Sequence, residues 1–257
     1  MTFSANLGFL FTELALPDAI GEARVAEFAA VECHFPYAHD AGAIKVALDA
    51  AGLKMLGLNT VPGDVAAGDF GLAALPGREV DARAAIDQAV GYANAIDAAN
   101  IHVMAGKTGG GAAAQETFRA NLSYACDRAA ETGRTILIEP INQRDVPGYH
   151  LSIVEEGARL IEQMGRDNLR LMFDCYHTQI MQGDLTRRIE RHLPLIGHIQ
   201  IAAVPDRGEP DAGEVHFPNL VAAIRDAGFT APIGAEYTPR GASTAAGLGW
   251  MSAYGRA

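Results

Sequence analysis

Four apolar runs in the second half of the chain each carry, at or near their carboxyl ends, a residue that could bind a metal ion. Glu139 lies in "TILIEP", Asp174 ends "LRLMFD", and Gln200 and Glu236 lie in "IGHIQIA" and "APIGAEY". Three carboxylates and one amide offer hard oxygen ligands, which suit Mg²⁺ or Mn²⁺ better than zinc. A hydrogen-bonded network without a metal is the alternative explanation for these residues.

The order of predicted elements explains how such distant residues could meet. Apolar runs predict eight strands, at 3–9, 29–35, 53–59, 100–106, 135–140, 169–174, 196–202 and 231–237. Helical patterns fall between strands, for example at 80–96, 116–133 and 151–165. This alternation predicts parallel βαβ units, and at this length an α/β fold consisting of one (β/α)₈ TIM barrel. A doubly wound open sheet is the alternative architecture.

In a parallel barrel, the carboxyl ends of all strands lie on one face, where active sites are built. Glu32, Asn59 and His102 also fall near predicted strand ends. Each of them alone is more typical of a hydrogen-bonded rim residue. Several carboxylates at one end of a barrel repel one another unless a cation lies between them.

The bulk composition excludes several classes of protein. The 257 residues are predicted to form a single domain over 1–257, with 49% hydrophobic and 20% charged residues. A net charge of −11 argues against nucleic-acid binding. The three widely spaced cysteines predict no disulfide framework. Without a recognisable signal peptide or a long apolar run, we expect a cytoplasmic protein that does not bind membranes.

Several longer motifs resemble one enzyme family closely. The segments "EPINQRDVPGYHL", "MFDCYHTQ", "HIQIAAVPDRGEPDAGEV" and "EYTPR" are similar to those of the hydroxypyruvate isomerase family, which includes the 2-oxo-tetronate isomerases. That family belongs to the xylose isomerase-like TIM barrels. The resemblance extends from about residue 4 to about residue 240.

The resemblance implies roles for the residues at the strand ends. It places the two catalytic glutamates at Glu139 and Glu236, and the metal ligands at Glu139, Asp174, Gln200 and Glu236. The expected cofactor is a divalent metal, Mg²⁺ or Mn²⁺. Related keto-sugar epimerases carry a histidine at the position of Gln200, which favours the isomerase branch.

The implied reaction moves a carbonyl group between adjacent carbons of a small 2-oxo hydroxy acid. Hydroxypyruvate to tartronate semialdehyde and 2-oxo-tetronate to 3-oxo-tetronate are the two candidates. Both pass through an enediolate, which needs an acid and a base near a cation. The sequence leaves open which glutamate removes the first proton. A keto-sugar 3-epimerase and a non-catalytic sugar-acid binding protein are the alternatives, and a DNA-repair nuclease is disfavoured by the acidic charge.

Three further residues are candidates for substrate binding. His177 follows Asp174 in "DCYH" and resembles a histidine that contacts a substrate oxygen in related epimerases. Arg207 could pair with a substrate carboxylate, or with nearby Asp206, Glu209 or Asp211. Lys107 could contact the same acid group, although a surface lysine is more common. The expected partner is a small oxo acid, and a homo-oligomer is compatible with the sequence.

Overall fold

Eight parallel strands form a barrel in a computed structural model that describes residues 1–254, so the predicted domain range ends three residues beyond them. The strands are β1 (Phe3–Asn6), β2 (Ala30–Glu32), β3 (Gly57–Asn59), β4 (Asn100–His102), β5 (Thr135–Ile138), β6 (Leu169–Asp174), β7 (Ile196–Ile201) and β8 (Ile233–Ala235). They are paired in the order β2-β1-β8-β7-β6-β5-β4-β3. The prediction of a TIM barrel is confirmed.

The barrel closes between β2 and β3 by a looser connection than a regular ladder. Val31 forms a parallel bridge with Met55, just before β3. The N–H of Val31 donates to the carbonyl of Lys54 at 3.0 Å, and the N–H of Cys33 donates to the carbonyl of Gly57 at 3.1 Å. These bonds join the two ends of the sheet, which rules out the doubly wound alternative.

Helices follow the strands along the outside of the barrel. They are α1 (Leu16–Val25), α2 (Ala41–Ala51), α3 (Glu79–Ile96), α4 (Ala112–Ala130), α5 (Val154–Met164), α6 (Cys175–Met181), α7 (Leu185–His192) and α8 (Phe217–Asp226). Short 3₁₀ segments lie at Pro36–Ala38, Val65–Ala67, Leu193–Leu195 and Ala245–Tyr254. Alanine supports helix formation at little entropic cost and lets α3 and α4 bury a narrow face.

Local signals set where several helices begin and end. The side chain of Asp40 accepts a hydrogen bond from the N–H of Ala43 and caps α2. Gly52 and Gly165, both with positive φ, end α2 and α5. No helix within residues 1–254 has the length and apolar character needed to cross a membrane.

Candidate active site

A cavity of about 470 Å³ lies beyond the carboxyl ends of the barrel strands. Its walls combine apolar and titratable side chains: Phe9, His34, Phe35, Asn59, Pro62, Val65, Phe70, His102, Met104, Glu139, Ile141, Val146, His177, Arg207 and Glu236. A second cavity, of about 410 Å³, is lined by the N-terminal residues, the end of α1 and the C-terminal 3₁₀ segment. The first cavity is the candidate active site because the titratable residues converge there.

Neighbouring strands bring the four predicted metal ligands, hereafter the ligand cluster (Glu139, Asp174, Gln200 and Glu236), to this end of the barrel. Asp174 and Gln200 are register partners in the β6–β7 ladder. Glu139 is the first residue after β5, and Glu236 is the first after β8. The N–H of Glu236 donates to the carbonyl of Ile201 at 3.1 Å, which holds Glu236 beside β7.

Every member of the ligand cluster has one buried oxygen that lacks a hydrogen-bond partner among residues 1–254. These atoms are Glu139 Oε1, Asp174 Oδ2, Gln200 Oε1 and Glu236 Oε2. Asp174 illustrates the cause, since its other oxygen caps α6 by accepting from the N–H of Tyr176 at 2.6 Å. A buried polar atom without a partner is costly, so four such oxygens carried by neighbouring strands to the same end of the barrel fit a bound cation.

The charges of the ligand cluster also fit a bound cation. Burial, followed by repulsion from Glu236 and Asp174, raises the pKa of Glu139 well above its usual range. Burial also raises the pKa of Asp174, although His177 opposes the effect. If all three carboxylates ionise beside the guanidinium of Arg207, two negative charges are left, which a divalent cation would balance.

His177 lies beside two members of the ligand cluster. Its Nε2 atom is 3.6 Å from Asp174 Oδ2 and 3.8 Å from Glu139 Oε1. Glu139, Asp174 and His177 each bring a potential ligand atom within 4.8 Å of the others, so this buried group could bind a metal ion. The predicted ligand Glu236 is not part of this group. Burial lowers the pKa of His177 to about 4, which makes it a neutral imidazole at physiological pH.

Hydrogen bonds from Asn142 decide the tautomer of His177. The backbone N–H of Asn142 donates to His177 Nδ1 at 3.3 Å, and the side-chain Nδ2 lies 2.6 Å from the same atom. The amide orientation of Asn142 is fixed because its Oδ1 accepts from the N–H of Asp145, while its Nδ2 donates to Asp145 Oδ2. Since Nδ1 is an acceptor, the proton of the neutral ring lies on Nε2, facing the site. The Nη2 atom of Arg207 lies 3.5 Å from Nε2, so this longer contact brings two donors together and is not a hydrogen bond.

Arg207 reaches into the site from the loop after β7. Its Nη2 atom is 3.5 Å from Glu236 Oε1 and 3.7 Å from Asp174 Oδ2. The guanidinium carbon lies 4.6 Å from the ring centroid of Phe9 and 4.9 Å from that of Tyr176. Two aromatic faces therefore hold the planar cation in one orientation.

The three acids considered as alternative partners of Arg207 pair with another arginine instead. Arg240 contacts Asp211 at 2.8 Å, Asp206 at 3.0 Å and Glu209 at 3.3 Å. Arg207 has φ 55°, a left-handed conformation that is uncommon outside glycine. The expected alternative pairing is thus wrong, and the guanidinium faces the ligand cluster.

His34 is a site residue that was not among the candidates predicted from the sequence. Its Nε2 atom is 3.0 Å from Glu236 Oε1, and its ring lines the cavity beside Phe9. Gly8 makes room for this ring, because a Cβ at that position would lie 2.3 Å from His34 Nδ1. His34 lies two residues after β2, and this position near a strand end could have identified it from the sequence.

The remaining candidate residues differ in how close they lie to the cavity and to the ligand cluster. His102 is buried, its Nδ1 lies 3.6 Å from Glu139 Oε2, and burial lowers its pKa to about 3. Asn59 also lines the cavity. Lys107 is exposed, with Nζ 5.8 Å from the ring centroid of Phe70, and it is not among the described residues that line the cavity.

Comparison with known proteins places this architecture in a family. The model of the family described as "Xylose isomerase-like TIM barrel" matches residues 20–254. The chain belongs to this family. The 2-oxo-tetronate isomerase of Cupriavidus necator is 46% identical over 255 residues, with 98% of each chain covered. The hydroxypyruvate isomerase of Escherichia coli is 37% identical over 257 residues, with 99% of each covered.

A solved structure extends this comparison. The crystal structure titled AP endonuclease, family 2, from Brucella melitensis superposes with a TM-score of 0.94 at 42% identity, with 98% of each chain covered. The two relatives named as isomerases match nearly the whole chain rather than one motif. They confirm, at the level of the family, the resemblance to the hydroxypyruvate isomerase family.

Proposed function

We propose that this protein is a metal-assisted isomerase of a small 2-oxo hydroxy acid. The candidate reactions are hydroxypyruvate to tartronate semialdehyde and 2-oxo-tetronate to 3-oxo-tetronate, the substrates implied by the names of its relatives. The observation that carries the proposal is the set of four buried, unpartnered oxygens contributed one each by the ligand cluster, as seen among residues 1–254.

The ligand cluster would hold the metal through Glu139, Asp174, Gln200 and Glu236. All four donors are oxygens, which favours Mg²⁺ or Mn²⁺. When bound, such a cation would supply positive charge that stabilises the negative oxygens of an enediolate. Because every donor lies on or next to a different strand, small movements of one loop would not disperse the cluster.

Glu139 and Glu236 are the proposed acid and base. One carboxylate takes the proton from the carbon that bears the hydroxyl group, and the electron pair of that C–H bond forms the enediolate. The neighbouring carbon, formerly the carbonyl, then receives a proton, while the oxygen-bound proton moves to complete the isomer. The two side chains follow β5 and β8, so they approach the cavity from separate strands.

His177 is proposed to donate a hydrogen bond to a substrate oxygen. Its Nδ1 is occupied as an acceptor by the N–H of Asn142, so Nε2 presents a hydrogen rather than a lone pair. A neutral donor next to two carboxylates can stabilise a developing negative oxygen without itself losing a proton. Since Nε2 has no lone pair to offer in this tautomer, Gln200 and Glu236 are proposed as metal ligands in place of His177.

Arg207 is proposed to bind the substrate carboxylate. Its planar fork can pair with a carboxylate through two hydrogen bonds, and Phe9 and Tyr176 restrict its rotation. Its Nε atom is buried and without a partner among residues 1–254, so this donor remains for a ligand. Lys107, which is exposed, is proposed only to add positive charge near the entrance.

Other functions fit less well. A keto-sugar 3-epimerase would use the same barrel but does not need a guanidinium aimed into the cavity. A sugar-acid binding protein does not need two glutamates beside a ligand cluster. A nuclease must attract phosphates, whereas this chain has a net charge of −11. A small oxo acid is therefore the proposed partner, while the oligomeric state and the cytoplasmic location stay predictions.

A substrate panel tests the proposal. Metal-depleted protein would be assayed with hydroxypyruvate, 2-oxo-tetronate and a keto-hexose, before and after addition of Mg²⁺ or Mn²⁺, with the products followed by NMR. We expect metal-dependent isomerisation of at least one of the two acids. Conversion of the keto-hexose alone would favour the epimerase, and binding of an acid without turnover would favour the binding protein.

A further inference from the structure

A buried polar cluster surrounds the side-chain amide nitrogen of Gln200. It consists of Ser4 on β1, Glu32 on β2 and His198 on β7, together with Gln200 itself. None of these residues is more than 4% exposed. The proposed reaction gives Glu32 no role, although a buried carboxylate is costly unless it is fully hydrogen-bonded.

Both oxygens of Glu32 are occupied from within this cluster. Oε1 accepts from the hydroxyl of Ser4 at 2.8 Å, and His198 Nε2 lies 3.1 Å from each oxygen. Oε2 accepts from the side-chain Nε2 of Gln200 at 2.7 Å. Glu32 is therefore saturated by donors and has no free oxygen to offer to a metal in the cavity.

The hydrogen bonds around Glu32 make this arrangement directional. The hydroxyl of Ser4 and the side-chain Nε2 of Gln200 both donate to the carboxylate, and His198 Nε2 lies 3.1 Å from each of its oxygens. Because both carboxylate oxygens accept hydrogen bonds, the –NH₂ group of the Gln200 amide faces Glu32. The Gln200 Oε1 atom then faces the opposite way.

A fourth strand, β8, holds the same arrangement by packing. Gly234 on β8 is the register partner of Gln200. A Cβ at Gly234 would lie 2.4 Å from Glu32 Oε1, 2.8 Å from Gln200 Cγ and 2.9 Å from His198 Nε2. The absence of a side chain at Gly234 thus allows Glu32, His198 and Gln200 to come together.

We propose that Glu32 is a positioning residue that fixes the amide of Gln200 with its oxygen toward the other metal ligands. Without this anchor, a glutamine amide can rotate by half a turn and present its –NH₂ group to a cation, which repels it. A histidine at the same position would need no such control over an amide. The inference rests on the proposed function, since it assumes that Gln200 binds the metal.

The test measures metal binding rather than turnover. Metal-free wild type, E32Q and the matched control S4A would be titrated with Mn²⁺ by calorimetry, and their folding would be compared by thermal denaturation. S4A removes a hydrogen bond from the same carboxylate but leaves the oxygen that faces Gln200. We expect E32Q to weaken Mn²⁺ binding by about 10- to 100-fold, as removal of outer-shell partners typically does. S4A should stay within about threefold of wild type.

An exchange of the two side chains separates positioning from simple packing damage. In E32Q/Q200E, an amide at position 32 can donate to a carboxylate at position 200, whereas Q200E alone places two carboxylates side by side. We expect the double variant to bind Mn²⁺ more tightly than Q200E, and this comparison does not require E32Q to fold. Equal binding by wild type and E32Q, or by Q200E and the double variant, would overturn the role of Glu32. Wild type that binds no Mn²⁺ would instead overturn the metal site of the proposed function, and the inference with it.

Discussion

The backbone N–H of Asn142 donates to Nδ1 of His177 at 3.3 Å, and this bond determines what His177 can do in the site. A backbone N–H cannot act as an acceptor, so Nδ1 carries the lone pair and Nε2 carries the hydrogen. The side-chain amide of Asn142 approaches the same atom from 2.6 Å. Although His177 lies beside two of the proposed metal ligands, its Nε2 atom therefore acts as a hydrogen-bond donor.

This assignment can be checked by NMR on ¹⁵N-histidine-labelled protein, with H177Q used to identify the signal. We expect the ring of His177 to be neutral at pH 7, because burial lowers its pKa to about 4, with the proton on Nε2. Detection of the proton on Nδ1, or of a doubly protonated ring at pH 7, would contradict the assignment.

Replacement of either proposed acid/base residue should abolish most of the turnover. E139Q and E236Q keep the shape of the side chain but remove its ability to exchange a proton, which typically costs about 10²- to 10⁴-fold in rate. Because both residues are also proposed metal ligands, the metal content of each variant must be measured with kcat. Turnover close to wild type in a fully metallated variant would exclude that glutamate from proton transfer.

Asp174 should matter for metal binding in particular. D174A removes a charged oxygen from the ligand cluster, together with the cap of α6, so we expect weaker Mn²⁺ binding in calorimetry and some loss of thermal stability. Chelation should inactivate the wild type, and Mg²⁺ or Mn²⁺ should restore it. Full activity in protein shown to be metal-free by elemental analysis would refute the metal requirement.

Arg207 should distinguish substrates by their charge. R207A should lower kcat/KM for hydroxypyruvate by roughly 10- to 100-fold, the effect of losing charged hydrogen bonds worth about 1.5–3 kcal/mol. Dihydroxyacetone, in which a hydroxymethyl group replaces the carboxylate, should be affected less. R240A is the matched control, since Arg240 pairs with three acids in the same region. An equal loss on both substrates would assign Arg207 to loop structure.

The sequence was sufficient to predict the barrel and the convergence of the ligand cluster. Parallel strands separated by helices place their carboxyl ends together, so the residues after β5 and β8 could be expected to meet those ending β6 and β7. The strand predicted at 169–174 matches β6, whereas the other predicted strands were longer than the observed ones, because apolar residues continue into buried segments beyond the paired region. The run predicted at 29–35, for example, contains a strand of only three residues, Ala30–Glu32.

Contacts that depend on loop conformation could not be predicted in the same way. The orientation of the Arg207 guanidinium follows from its left-handed backbone and from stacking against Phe9. Phe9 lies 198 residues before Arg207 in the chain (207 − 9). The saturation of Glu32 requires side chains from three strands in one register. Such details depend on distances between non-adjacent segments, which no local pattern of residue types encodes.

Turnover in D₂O tests most directly the central claim that Glu139 and Glu236 isomerise an oxo acid by proton transfer. A carboxylate that has taken a proton from carbon should sometimes exchange it with solvent before returning it. Product collected early from metal-loaded enzyme would be analysed by NMR, with an enzyme-free sample to correct for spontaneous enolisation. We predict deuterium at the carbon that receives the proton, and loss of this labelling together with turnover in E139Q and E236Q. Isomerisation with complete retention of the original hydrogen, together with two metal ions per chain, would contradict the account and indicate a hydride shift.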